Sequence, residues 1–153
     1  MCPQRLPFVK PVNRTLQGPE YIEIVEMEVG ANATPALMIA GKIVVHDTTD
    51  SHIKESGEDA ADVIGCIEVK SGKAYSQTHA VAEPINIIIQ PGARVVLWLS
   101  SGAAGVAPGT QLKPAVSGTV YPASGPQVAR SLETVAAATG GRILCLWTNS
   151  GDF

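Results

Sequence analysis

The chain has 153 residues, of which 45% are hydrophobic and only 16% are charged, and its net charge is −3. This length predicts one domain with a core of its own, and leaves room for an arm or an insert. The sparse charge predicts a surface that meets protein more than water. Without a long basic run, no nucleic-acid partner is expected, since a phosphate backbone requires clustered Lys and Arg. The longest apolar runs, Ile85 to Ile89 and Val95 to Leu99, are too short to cross a bilayer, and no membrane partner is expected.

The first part of the chain, residues 1–19, is predicted to be an extended N-terminal arm ahead of a β-rich body at 20–153. Four prolines interrupt it, and proline fixes φ and removes a backbone donor, which excludes a helix or a central strand. The segment is more apolar than ordinary disordered tails. A frayed terminus is the alternative. The apolar side chains expected to contact a partner chain are Leu6, Phe8, Val9 and Val12.

The body begins with alternating apolar and acidic residues from Tyr21 to Val29, the period of a half-buried strand. Ala36 to His46 predicts a strand pair, or one strand with a bulge at Gly41. Residues 46–62 are polar and charged, and they predict a long loop or a lid. Asp62 to Val69 predicts another strand, followed by a turn at 70–73.

Further along, Ile85 to Ile89 and Arg94 to Ser100 predict a strand pair across the Pro91-Gly92 turn. Residues 101–118 are rich in Gly, Ala and Pro and predict short β pieces at most. Residues 128–138 could form a helix of about three turns, but they lack a clear amphipathic stripe, so we expect a strand that forms a hairpin with Arg142 to Thr148. Short strands separated by Gly and Pro turns predict an all-β protein, or β with minor α, built as a small barrel or sandwich.

One polar cluster, His46, Asp50 and His52, could hold a divalent metal if it lay on one face of a strand. The surrounding Thr, Ser, Lys and Glu residues favour a solvated loop instead. The sequence also lacks a Gly-x-Ser-x-Gly elbow and a phosphate-binding loop. We therefore expect no metal, no cofactor and no catalytic residue, and we do not expect an enzyme.

The three cysteines match no zinc or redox spacing. Cys66 and Cys145 lie in apolar runs and are expected to be buried, whereas Cys2 is expected to be an exposed thiol. Trp98 and Trp147 also lie among apolar residues. Core packing is one interpretation of these two tryptophans, and aromatic anchors at a subunit interface are the other.

A series of turn and strand patterns in the later part of the chain resembles the capsid decoration, or cement, proteins of tailed phages. The patterns are Ala61 to Gly65, Pro91 to Leu99, Val106 to Leu112, Val116 to Val120 and Ala129 to Trp147.

The resemblance covers roughly residues 36–148. It implies a β-barrel or β-tulip body that assembles as a homotrimer at the three-fold and quasi-three-fold points of a capsid. The partner would be the major capsid protein, and the arm would reach the capsid or a neighbouring subunit. The protein would be made in the host cytoplasm and would lie on the exterior of the virion, stabilising it against internal pressure. A tail or fibre component, or a carbohydrate-binding β-module, is the alternative.

Overall fold

The computed structural model describes residues 22–69, 74–103, 105–136 and 141–149. The predicted arm at 1–19 and the predicted turn at 70–73 lie outside these residues. The described part of the chain is nearly all β, with two short 3₁₀ turns, and this confirms the predicted fold class. In that part, no helix is long and apolar enough to cross a membrane.

The first half of the fold is a closed five-stranded barrel with the order β1-β3-β2-β4-β5. Its strands are β1 (Ile24–Val29), β2 (Ile43–His46), β3 (His52–Glu55), β4 (Val63–Ile67) and β5 (Pro84–Ile88). β1 and β3 pair in parallel, and every other neighbouring pair is antiparallel. Closure leaves the barrel without a free edge strand, which removes the hazard of uncontrolled edge pairing.

The second half is a five-stranded antiparallel sheet with the order β6-β10-β9-β7-β8. Its strands are β6 (Arg94–Trp98), β7 (Gln111–Pro114), β8 (Val120–Pro122), β9 (Ala129–Ser131) and β10 (Arg142–Trp147). An isolated bridge between Leu99 and Val120 joins the two edges of the sheet at one end. Pairing of β9 with β10 confirms the hairpin predicted for the C-terminal region.

The predicted strand pair across Pro91 and Gly92 is wrong. β5 already pairs with β1 on one side and with β4 on the other, so it offers no edge to β6. The turn instead carries the chain from the barrel into the second sheet, where β6 pairs with β10. Turn chemistry predicted the reversal of the chain, but it does not specify which strands become neighbours.

Two predictions between residues 36 and 62 also need correction. Only the second half of the predicted 36–46 strand pair is extended, because Pro35–Leu37 forms a 3₁₀ turn and Gly41 takes a positive φ of 88°. The predicted loop at 46–62 contains strand β3, which closes the barrel between β1 and β2. Ile53, which is flanked by polar residues, is fully buried there and belongs to the barrel core.

Strands β2 and β4 are buried on both faces. Val44, Ile64 and Ile67 point into the barrel core, together with apolar residues of β1, β3 and β5. Ile43 and Cys66 point the other way, into a second core that they share with β6, β9 and β10. One wall of the barrel is therefore also the floor under the second sheet, and the two halves share buried strands.

The shared wall contains a bulge at which Gly65 is required. The register of β2 against β4 shifts between Val44 and Val45, which leaves Ile64 as the extra residue. A Cβ on Gly65 would overlap the backbone carbonyl oxygen of Ile88 on the neighbouring strand. Only a residue without a side chain permits this close approach of β4 to β5.

The substitution Gly65→Ala is expected to lower the free energy of unfolding by about 1–3 kcal/mol, because the added methyl group overpacks the wall between the two cores. Gly57→Ala is the matched control, since a Cβ at that position meets no atom within 4 Å. Urea unfolding of both variants measures the difference. Equal midpoints for the two variants would contradict the close approach at Gly65.

Candidate interface surface

The structure separates the two predicted interface tryptophans. Trp147 is fully buried in the second core, and no described residue accepts a hydrogen bond from its indole N–H. Core packing is therefore its role in this fold, and its ring does not reach the surface of the subunit. The other predicted interface residues, Leu6, Phe8, Val9 and Val12, lie outside the described residues.

Trp98 lies at the junction between the barrel and the second sheet and is partly exposed. Its indole N–H donates a hydrogen bond of 2.9 Å to the carbonyl oxygen of Ala40, just ahead of β2. The Arg142 guanidinium carbon lies 5.6 Å from the ring centroid, and Lys42 Nζ lies 5.8 Å from it. These contacts tie β6 to the barrel through one aromatic ring.

Tyr75 completes this group from the segment between β4 and β5. Its ring centroid lies 6.3 Å from that of Trp98, and the Arg142 guanidinium carbon lies 4.6 Å above the tyrosine ring. The Tyr75 hydroxyl donates a hydrogen bond to the carbonyl oxygen of Val96 on β6. We refer to Lys42, Tyr75, Trp98 and Arg142 as the aromatic cluster.

Beside the aromatic cluster runs a groove of about 250 Å³ between β6 and the outer faces of β4 and β5. We call it the β6 groove. Cys66 and Ile88 come from the barrel wall, and Val69 comes from the residues just after β4. Arg94 and Val96 come from β6, and both side chains are exposed. The groove is therefore a largely apolar surface depression whose lining also includes two side chains of opposite charge, Glu68 and Arg94.

The β6 side of this groove is a strand edge with free donors. The Leu99 N–H donates a hydrogen bond to the carbonyl oxygen of Gly141. The register of β6 against β10 then directs the N–H and C=O groups of residues 95 and 97 toward β10 as well. Arg94 and Val96 consequently point their N–H groups away from β10, and no described residue accepts a hydrogen bond from either. The Val96 carbonyl, in contrast, is already occupied by Tyr75.

The polar cluster considered for metal binding does not assemble. His46 ends β2 and His52 begins β3, so a turn separates them and they do not share one strand face. His52 Nδ1 bonds to the carbonyl oxygen of Asp50 at 2.8 Å, and its Nε2 lies 3.3 Å from a carboxylate oxygen of Glu28. Within 22–69, 74–103, 105–136 and 141–149, no group of three or more potential ligands could hold a metal ion.

Burial suppresses the ionisation of two thiols and one phenol, of which Cys66 and Tyr75 line the groove and Cys145 lies in the second core. It raises the pKa of the Cys66 thiol well above its usual range and that of Cys145 to about 12. It also raises the pKa of Tyr75 to about 12, against the opposing effect of the nearby Arg142. Cys66 and Cys145 are both free and buried, as the sequence predicted. Neither thiol is an accessible nucleophile at neutral pH.

These raised pKa values predict a loss of stability in alkali. The folded protein keeps its thiol protons to higher pH than the unfolded chain, so the free energy of unfolding should fall as pH rises from about 9 toward 12. The slope approaches about 1.4 kcal/mol per pH unit for each of the two thiols. Urea unfolding in the presence of a reductant measures it. Cys145→Ala should make the slope shallower, and an unchanged slope in that variant would contradict the assignment.

Sequence patterns had given no sign of Tyr75, Arg142 or Val96 as surface residues of one site. Val96 follows the period of its strand, with Val95 and Leu97 buried on the opposite face, and its exposure could have been anticipated from that alternation. Tyr75 and Arg142 lie far apart in the sequence, and only the docking of the barrel against the second sheet brings them together.

No family model matches the sequence, and no curated protein matches it. The fold is nevertheless shared with a solved structure. It is similar to the N base of the head fiber gp8.5 in bacteriophage phi29, with a TM-score of 0.54 and 14% sequence identity. The match covers 84% of this chain and 95% of that chain. At this level of identity the similarity shows a common fold.

Proposed function

We propose that this chain is a structural protein of a phage head, bound to the outer surface of the capsid. The observation that carries the proposal is the fold shared with a phage head fiber base, which extends over 84% of this chain and 95% of the other. The decoration-protein patterns in the sequence support the same role independently. The role is structural and requires neither catalysis nor a cofactor.

In this proposal the protein is a homotrimer on the major capsid protein, at three-fold and quasi-three-fold sites of the lattice. Packaged genome presses capsid subunits apart, and a trimer that contacts several subunits would lose those contacts if they separated. Each capsid contact after the first is effectively intramolecular, so modest single-site affinities combine into strong binding. The trimer would thereby stabilise the head against internal pressure.

The body described above suits this task. Two cores that share a wall make a rigid unit whose surface presents a groove and a cluster of aromatic and basic side chains. Trp and Arg are enriched among the residues that dominate protein interfaces. Of the two predicted tryptophan anchors, Trp98 is the one whose ring is partly exposed and within reach of a partner chain.

A second candidate function, the base of a fibre, follows from the description of the similar structure as the N base of a head fiber. A fibre base would bind the head through one surface and continue into a distal fibre. Electron microscopy of decorated heads separates the two candidates, because a decoration protein appears as a compact knob and a fibre base carries a projecting shaft.

Co-sedimentation with capsids tests the proposed function. The full chain is expected to pellet with expanded capsids and not with immature ones, in a saturating ratio of three chains per three-fold site. Deleting residues 1–19 should weaken binding by about a hundredfold, because loss of joined contacts removes avidity. The truncated protein should keep the circular dichroism spectrum of the full chain. Failure of the full chain to pellet, or equal binding by the truncated protein, would refute the proposal.

A further inference from the structure

We propose that the β6 groove is the docking site for residues 1–19 of a second copy of this chain, so that copies are joined arm to groove. The inference rests on the proposed function in that it supplies the joint of the proposed trimer. Its occupant is a specific segment, and four properties of the described residues and of the sequence point to it.

The first property is the concentration of exposed apolar side chains at the groove. The described residues include six large hydrophobic side chains that are exposed. Val69 and Val96 line the groove directly, at 43% and 36% exposure. Ile24, at 38% exposure, pairs across the strands with Ile88 of the groove floor. A soluble protein gains by covering such a patch, and Leu6, Phe8, Val9 and Val12 are side chains of the matching kind.

The second property is the pattern of hydrogen-bonding groups. The β6 edge offers the N–H groups of Arg94 and Val96, while its central carbonyl is taken by Tyr75. The Arg94 carbonyl faces the same side as its N–H, so among the described residues this stretch of edge offers two donors and one acceptor besides the carbonyl bonded to Tyr75. A proline-rich segment is the complementary partner, because each proline lacks the N–H but keeps the carbonyl acceptor. The prolines at positions 3, 7 and 11 give the arm this character.

The third property is charge. The arm carries Arg5, Lys10 and Arg14 and no acidic residue, which is a charge of +3. Because the whole chain has a net charge of −3, the remaining residues carry −6. The groove lining carries one charge of each sign, Glu68 and Arg94, so the complementarity is between the arm and the body as a whole and not within the groove. The opposite signs of arm and body favour their encounter and suppress contacts between like surfaces.

The fourth property is the point at which the chain leaves the body. The carbonyl of Glu23 accepts a hydrogen bond from the Ile89 N–H, so the ladder between β1 and β5 continues to the end of β5. Ile22, the first described residue, is therefore two positions from Ile24, which pairs with Ile88 of the groove floor. Twenty-one residues precede Ile22, and a segment of this length can extend about 70 Å, enough to reach a neighbouring subunit.

An arm that leaves one copy and enters the groove of the next makes a heterologous contact. Such contacts form a closed ring when the rotation between neighbouring copies is a simple fraction of a full turn. With a rotation of one third, three arms occupy three grooves. The same geometry gives a reason for the weaker capsid binding that we expect on removal of the arm, because separated subunits lose their avidity.

Sedimentation velocity of the full chain and of charged variants tests the joint. Val96→Lys places a charge in the groove, Val69→Lys does so on its other wall, and Phe8→Lys places one in the arm. The native chain is expected to sediment as a trimer, and each variant at one third of that mass. Val116→Lys and Val81→Lys are matched controls at exposed valines away from the groove, and both should remain trimeric.

A mixing experiment tests whether the arm of one copy binds the groove of another. The Val96→Lys copy keeps an intact arm and the Phe8→Lys copy keeps an intact groove, so an equimolar mixture should form a heterodimer through one joint. A native chain that is monomeric, with no association on mixing, would mean that the arm docks elsewhere or on its own body, and would overturn the inference. Trimers that persist in all three groove and arm variants would overturn it as well.

The outcomes separate this inference from the proposed function. If the groove variants remain trimeric but Phe8→Lys alone no longer pellets with capsids, the arm binds the capsid, so the groove inference fails while the proposed function stands. If arm and groove join the subunits but no variant or native chain pellets with capsids, the proposed function fails and the joint stands. Unfolding midpoints equal to that of the chain that lacks residues 1–19 exclude misfolding of the variants as the cause.

Discussion

The fold depends on two strands that are buried on both sides. β2 and β4 present one set of apolar side chains to the barrel interior and another to the second sheet, so neither half is complete without them. Strands buried on both faces are apolar without alternation, and Ile43 to Val45 and Val63 to Ile67 have this composition. A bulge at Ile64 and the missing side chain at Gly65 allow the wall to curve around one core while it supports the other.

The candidate interface is a consequence of this shared wall. Because the second sheet rests on β2 and β4, its edge strand β6 lies beside the outer faces of β4 and β5, and the space between them is the groove. Polar contacts fix the junction: the Trp98 indole bonds to Ala40, and Lys42 Nζ bonds to the carbonyl oxygen of Ser117 at 3.0 Å. An interface held by rigid elements requires little ordering when a partner binds, which favours affinity.

The sequence predicted the local structure better than the pairing. Alternation identified β1, and apolar content identified β4 and β10. In each of these strands the residues that are buried are apolar, so the sequence alone indicates a strand. β3 escaped detection since Ile53 is its only large apolar residue among polar neighbours. The partners of β5 and β6 could not be derived from the Pro91-Gly92 turn. β5 pairs with β1 and β6 pairs with β10, and both partners lie far away in the sequence. The same limit applied to the site, where Tyr75 and Arg142 meet only through the docking of the two halves.

Amide hydrogen exchange of the full chain tests the shared wall most directly. If β2 and β4 belong to both cores, their amides and those of β10 should exchange only through global unfolding, with one common free energy of opening. The exchange should also respond equally to denaturant in both halves. A set of barrel amides that exchanges through a separate and much smaller opening free energy than β10 would show two independent units, and would contradict this account.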